Sequence, residues 1–143
     1  MKLADCFKGG LLKRTSPDIG NAFRSLELSR SNIEDAIENM SIHRYRVVTI
    51  SSYSSMFHTA RSILFRDGIK ERSHECIPIY LKEQYPELED LANILDSYRR
   101  FRHHAIYGLD FEMDEKEAQA SLDFVEEFLK KIKIYMDQNL STK

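Results

Sequence analysis

The sequence predicts an all-α protein, an antiparallel up-and-down four-helix bundle with an additional short helix. Apolar residues recur at three- and four-residue steps through most of the chain. Glycine and proline number only 5 and 3 in 143 residues, too few for the many turns of a sandwich or barrel. Charged residues reach 31%, as expected of helices with solvated faces, while 42% hydrophobic and 10% aromatic residues can build a core. The length suits one domain over residues 1–143, with 1–15 as an N-terminal extension.

The elements follow in order. Ser16-Pro17-Asp18 marks a helix start: Ser16 can cap, Pro17 suits a first turn, and Asp18 favours the positive end of the dipole. The first long helix is expected to run to about Met40, with Ile19, Ala22, Leu26, Ile33, Ile37 and Met40 on its inward stripe. A second covers Ile42 to Arg66. Its stripe, Ile50, Tyr53, Phe57, Ala60 and Leu64, is widened by Val47, Met56 and Ile63, which marks it as the central helix. Asp67-Gly68 closes it with a glycine cap. A short helix follows Ser73, whose hydroxyl can cap it, and carries Cys76, Ile79, Tyr80 and Leu81. The next long helix begins near Pro86 and continues toward Tyr107-Gly108. After a loop from Gly108 to Met113, Asp114-Glu115-Lys116-Glu117 opens the last helix in capping-box style, with Ala118, Leu122, Val125, Leu129, Ile132 and Met136 inward.

Several function classes recede. No run approaches the roughly 18 apolar residues of a membrane span. Met1 to Arg14, interrupted by Gly9-Gly10, lacks the apolar stretch of a signal peptide. Cys6 and Cys76 lie far apart without CxxC or Cys/His ligand spacing, so neither a disulfide framework nor a zinc site is expected, and a reducing cytoplasm fits. No cofactor or metal is implied. A net charge of −2 excludes a bulk basic coat for nucleic acid but leaves room for a local basic site.

Such a site is present in Tyr98-Arg99-Arg100-Phe101-Arg102-His103-His104-Ala105-Ile106-Tyr107-Gly108. The ordinary account is a solvated basic patch at a helix C-terminus, where the dipole favours cations. Helical phase separates its members. Leu88, Leu91, Leu95 and Tyr98 form the inward stripe, and at about 100° per residue Arg102 sits in the middle of that arc. Arg99 lies within it and His103 at its edge, while Arg100 and His104 point the opposite way. An arginine in core phase needs a partner or a wet cleft. A guanidinium binds phosphate in a bidentate manner, and histidine is the acid or base of neutral pH. Together they could bind a nucleotide phosphate. They could also cut RNA, the base activating a ribose 2′-hydroxyl and the cation stabilising the pentavalent phosphate. His43, His58 and His74 are assigned structural or solvated roles. No Gly-rich phosphate loop, GxSxG elbow, HExxH or paired-carboxylate signature is present.

The order of these pieces resembles the HEPN (higher eukaryotes and prokaryotes nucleotide-binding) domain, in particular small stand-alone prokaryotic, often archaeal, members. The resemblance rests on Leu11-Leu12-Lys13 before Ser16-Pro17-Asp18, then Ser52-Tyr53-Ser54-Ser55-Met56-Phe57-His58-Thr59-Ala60-Arg61. Leu64-Phe65-Arg66-Asp67-Gly68, Glu71-Arg72-Ser73-His74 and Tyr98 through Gly108 complete it. It implies a helical bundle and a homodimer with a shared cleft. It also implies metal-independent RNA cleavage by an arginine and a histidine separated by four to six residues, in toxins neutralised by a minimal nucleotidyltransferase. Arg102 and polar His103 match the start of that motif, and Tyr107 stands where its histidine would be. Arg99 and His104 satisfy the spacing literally but fall on nearly opposite helix faces. With an ordinary pKa of about 10, Tyr107 is a poor base at neutral pH, and His103 could substitute.

The expectation is therefore a cytoplasmic HEPN homodimer, with no membrane association, that binds RNA or a nucleotide. Arg102, His103 and Tyr107 are its catalytic candidates, and Arg99, Arg100 and His104 its RNA-binding ones. The rival is a non-catalytic interaction module whose Arg102 pairs with a carboxylate such as Glu34, Asp35 or Glu38.

Overall fold

The computed structural model describes residues 1–140, so the last three residues of the expected 1–143 domain lie outside the described residues. In chain order the elements are α1 (Leu3–Lys8), β1 (Leu12–Arg14), α2 (Ile19–Ser41), α3 (Tyr45–Asp67), β2 (Ile69–Glu71), α4 (Cys76–Gln84), a 3-10 turn (Pro86–Leu88), α5 (Glu89–Tyr107) and α6 (Glu115–Leu140). The fold is an all-α bundle of four long helices. Two short helices accompany them where one was expected, along with a single antiparallel pair of three-residue strands, β1 and β2.

The centre is α3, which packs against α2, α5 and α6. Val48, Tyr53, Met56, Ala60, Ile63 and Leu64 are buried on it, and so are Thr49, Ser52, Ser55, Thr59 and Ser62. These hydroxyls stay inside because each finds a partner. Ser55 Oγ donates to the Ser29 carbonyl at 2.8 Å, and Thr59 Oγ1 donates to the Ser55 carbonyl at 2.8 Å. Ser29 Oγ lies 2.9 Å from Ser55 Oγ.

This contact corrects the expected phase of α2. Its buried face is Ala22, Ser25, Ser29, Ile33 and Ala36, whereas Ile19 and Ile37 of the expected stripe are nearly half exposed, at 46% and 47%. Small side chains let α2 approach α3 closely, and hydroxyls that bond across the seam pack as well as methyl groups there. Apolar periodicity does not register such a face.

Two caps also differ. Asp18, rather than Ser16, caps α2 by accepting from the Asn21 N–H at 2.9 Å. Glu75, rather than Ser73, occupies the cap position of α4. The last helix follows expectation, Asp114 accepting from the Glu117 N–H at 2.8 Å. Gly68 ends α3 in the left-handed region (φ 73°), and its carbonyl accepts from the Thr15 N–H at 2.7 Å, which starts the return toward β1.

The cysteine expectation is corrected too. Cys6 and Cys76 form a disulfide, both fully buried, with Cα atoms 6.0 Å apart. The fold lays α1 against the start of α4 across a sequence separation of 70, a juxtaposition that residue spacing cannot reveal. The bond and the β1–β2 pairing fasten the first fifteen residues to the loop that leads into α4.

Candidate phosphate site between α3 and α5

The amphipathic pattern of α5 sets the orientation of its basic segment. Leu91, Ala92, Leu95 and Ala105 are buried, so Tyr98, Arg99 and Arg102 lie partly buried on the side facing α3. Arg100, His103, His104 and Tyr107 are exposed. The structure thus brings Arg99 and Arg102 together on the α3 side and leaves the other four candidates on the outer face. The rings of His103 and Tyr107, one turn apart, meet there at 4.9 Å.

The arginines differ in their partners. Asp96 accepts from Arg99 Nε and from Arg100 Nη2, both at 2.9 Å. Among the described residues no carboxylate lies within salt-bridge distance of Arg102. Glu34, Asp35 and Glu38 sit on the exposed face of α2 and do not pair with it. Instead the Arg102 guanidinium lies 5.9 Å from the centre of the Tyr53 ring. A partly buried cation facing an aromatic ring, with its N–H fork free of carboxylates, has capacity for an incoming anion.

Tyr53 connects this arginine to a cluster that sequence reasoning missed. Its hydroxyl lies 2.8 Å from His74 Nδ1. The His74 ring stacks on Phe57, 4.2 Å away and almost parallel. One turn further along α3, Arg61 lies 5.5 Å from the centre of the Phe57 ring and pairs with Glu71 of β2 at 2.6 Å. His58 Nδ1 is buried without a hydrogen-bond partner among the described residues. The signal for this cluster is the Tyr53–Arg61 segment of α3, whose aromatic spacing also suits a core stripe.

The electrostatics are those of a cationic, partly dry site. Burial, then the charges of Arg61 and His74, push His58 down to about 4. Burial, then Arg102, Arg99 and Arg61, hold His74 below the usual histidine range, so both rings are neutral at pH 7. Burial raises the Tyr53 phenol, with Arg102 and Arg99 opposing, and keeps it protonated. A cavity of about 150 Å³ opens beside Arg99 between α4 and α5, bordered by Glu75, Ile79, Asn93 and Asp96. A roomier groove, about 420 Å³ between α2 and α6, mixes Glu27, Glu34 and Asp137 with Arg30, Arg66 and Lys133, so its charge favours no anion.

The family model of the HEPN domain matches residues 23–135. The chain belongs to the HEPN domain family. The HEPN match runs from within α2 to within α6 and so takes in Tyr53, His74 and the whole basic segment of α5. HEPN domains are associated with RNA binding and nuclease activity. No curated protein matches the chain. None of the helices among the described residues is long and apolar enough to cross a membrane.

Proposed function

We propose that this HEPN protein binds RNA through a backbone phosphate at Arg102 and cleaves it without a metal ion. The observation that carries this reading is the pairing pattern: Arg61 and Arg99 hold carboxylates, whereas Arg102 faces the Tyr53 ring with none. A phosphate oxygen pair would meet that guanidinium fork, with Arg99 adding positive potential. Arg100, His103, His104 and Tyr107 form an exposed rim that would follow the rest of the RNA strand.

A homodimer belongs to the same reading. HEPN domains commonly dimerise, and the exposed Phe101 of α5 and Phe124 of α6, both packed against Tyr98, offer an apolar margin that a second copy would cover. Pairing with a minimal nucleotidyltransferase that restrains the activity, in a cytoplasmic toxin–antitoxin system, completes the proposal. The buried Cys6–Cys76 disulfide removes the cysteine argument for a reducing cytoplasm, so the compartment follows from the toxin–antitoxin reading alone.

The test is incubation of purified protein with mixed RNA in EDTA. The reading predicts cleavage that disappears in Arg102→Ala with the fold intact. RNA left whole by the native protein, together with a destabilised Arg102→Ala, would assign this arginine to structure instead.

A further inference from the structure

Tyr107 leaves the motif without its histidine, and the fold supplies another from outside α5. We infer that His74, on the segment between β2 and α4, is the general base of this site, held by Tyr53, whose ring Arg102 also faces; the inference rests on the RNA-cleaving reading above.

The geometry is specific. His74 and Arg102 both contact the same aromatic ring. The His74 ring centre and the Arg102 guanidinium carbon each lie 5.9 Å from the centre of Tyr53. The Tyr53 hydroxyl fixes one nitrogen, Nδ1, at 2.8 Å. Stacking on Phe57 at 4.2 Å fixes the plane of the imidazole. Either tautomer satisfies this contact; general-base action requires the one in which Nδ1–H donates to the Tyr53 oxygen and Nε2 keeps its lone pair. A base oriented through its second nitrogen is the arrangement general-base catalysis requires. Cys76, two residues on, is locked to α1 by the disulfide, so the backbone leading from His74 is anchored as well.

By contrast, His103 is exposed and contacts His104 and Tyr107 of its own helix. The groups around His74 are Tyr53, His58 and Arg61 from α3, and Arg99 and Arg102 from α5. Asp96 and Glu71 neutralise Arg99 and Arg61 in part. Burial first, and then this cationic balance, keeps the imidazole unprotonated and able to accept a proton at pH 7.

Nε2 takes the proton of a ribose 2′-hydroxyl while that oxygen bonds to the phosphorus held by Arg102. The bond from phosphorus to the 5′-oxygen breaks, and the leaving oxygen takes a proton from water. The imidazolium then returns its proton to the hydroxide so formed. The products are a 2′,3′-cyclic phosphate and a 5′-hydroxyl end.

The experiment compares His74→Gln, His103→Ala and Tyr53→Phe with the native protein. Each variant is checked for native melting, then assayed for RNA affinity and for cleavage rate in EDTA across pH 5–8. A general base is worth roughly 100-fold or more. His74→Gln should therefore lose about that factor in rate while binding RNA within about threefold. The acid limb of the native profile, below pH 6.5, should vanish with it, a change that a purely structural histidine would not produce. If His74→Gln melts early, Tyr53→Phe carries the test. It keeps the ring but frees Nδ1, and should slow cleavage about tenfold with binding intact. A native rate and pH profile in His74→Gln, or in a well-folded Tyr53→Phe when His74→Gln misfolds, would overturn the inference, as would loss confined to His103→Ala. Both results would leave the RNA reading standing. Failure of the native protein to cleave RNA would instead overturn the reading itself, and this inference with it.

Discussion

The Cys6–Cys76 bond should be the largest single covalent contribution to stability. It closes a loop across a sequence separation of 70. A loop of that length removes about 4 kcal/mol of chain entropy from the unfolded state. For a chain of 143 residues, at about 2.1 cal/mol/K of unfolding entropy per residue, this amounts to a Tm difference of about 13 °C. In urea, with a slope of about 2 kcal/mol/M, the midpoint should shift by about 2 M. The assay is equilibrium unfolding of the same protein with and without a thiol reductant, so that no side chain changes and no cavity is introduced. Thiol titration of denatured protein that has never met reductant should find none free. Superimposable unfolding curves, or two free thiols before reduction, would refute the argument.

Other expectations concern separate parts of the fold. Asp67 accepts from Tyr80 and Tyr85 and pairs with the buried Arg66, so Asp67→Ala strands a buried cation and should cost about 3–5 kcal/mol by urea unfolding. Removing the exposed Lys131–Glu127 pair should cost under about 0.5 kcal/mol. Gly68→Ala would place a methyl carbon 2.4 Å from the Thr15 carbonyl oxygen at φ +73° and should destabilise by about 2 kcal/mol or more, measured by thermal melting. His58 titrates near 4 when folded and about 6.5 when unfolded, so its contribution is complete above pH 6.5, falls as pH drops toward 4, and is constant below that. Because the ring is partly solvated, the loss should be about 1–2 kcal/mol, and it should be absent in His58→Gln.

The long helices were legible because their apolar spacing is dictated by burial of one face. The orientation of Arg102 was legible for the same reason: α5 has a clean stripe, and its continuation turns Arg99 and Arg102 toward α3. The face of α2 was misread because alanine and serine line it, and their partner hydroxyls lie on another helix. Strands of three residues are too short to show alternation. The disulfide and the place of His74 depend on contacts between segments far apart in sequence. His74 meets Tyr53 and Phe57 only because Gly68 turns the chain back along α3. Its neutral state likewise reflects burial against α3 and then arginines from two helices, which a local motif does not contain.

The most direct test of an anion site at Arg102 is the affinity of a labelled RNA at fixed salt for the native protein, Arg102→Ala and Arg100→Ala. Arg100 is exposed and already paired with Asp96, so its loss should weaken binding by no more than about threefold. Loss of Arg102 should weaken it by at least about tenfold, as expected for a charge-assisted phosphate contact worth roughly 1.5–3 kcal/mol. Equal affinity of the native protein and a well-folded Arg102→Ala would contradict the account.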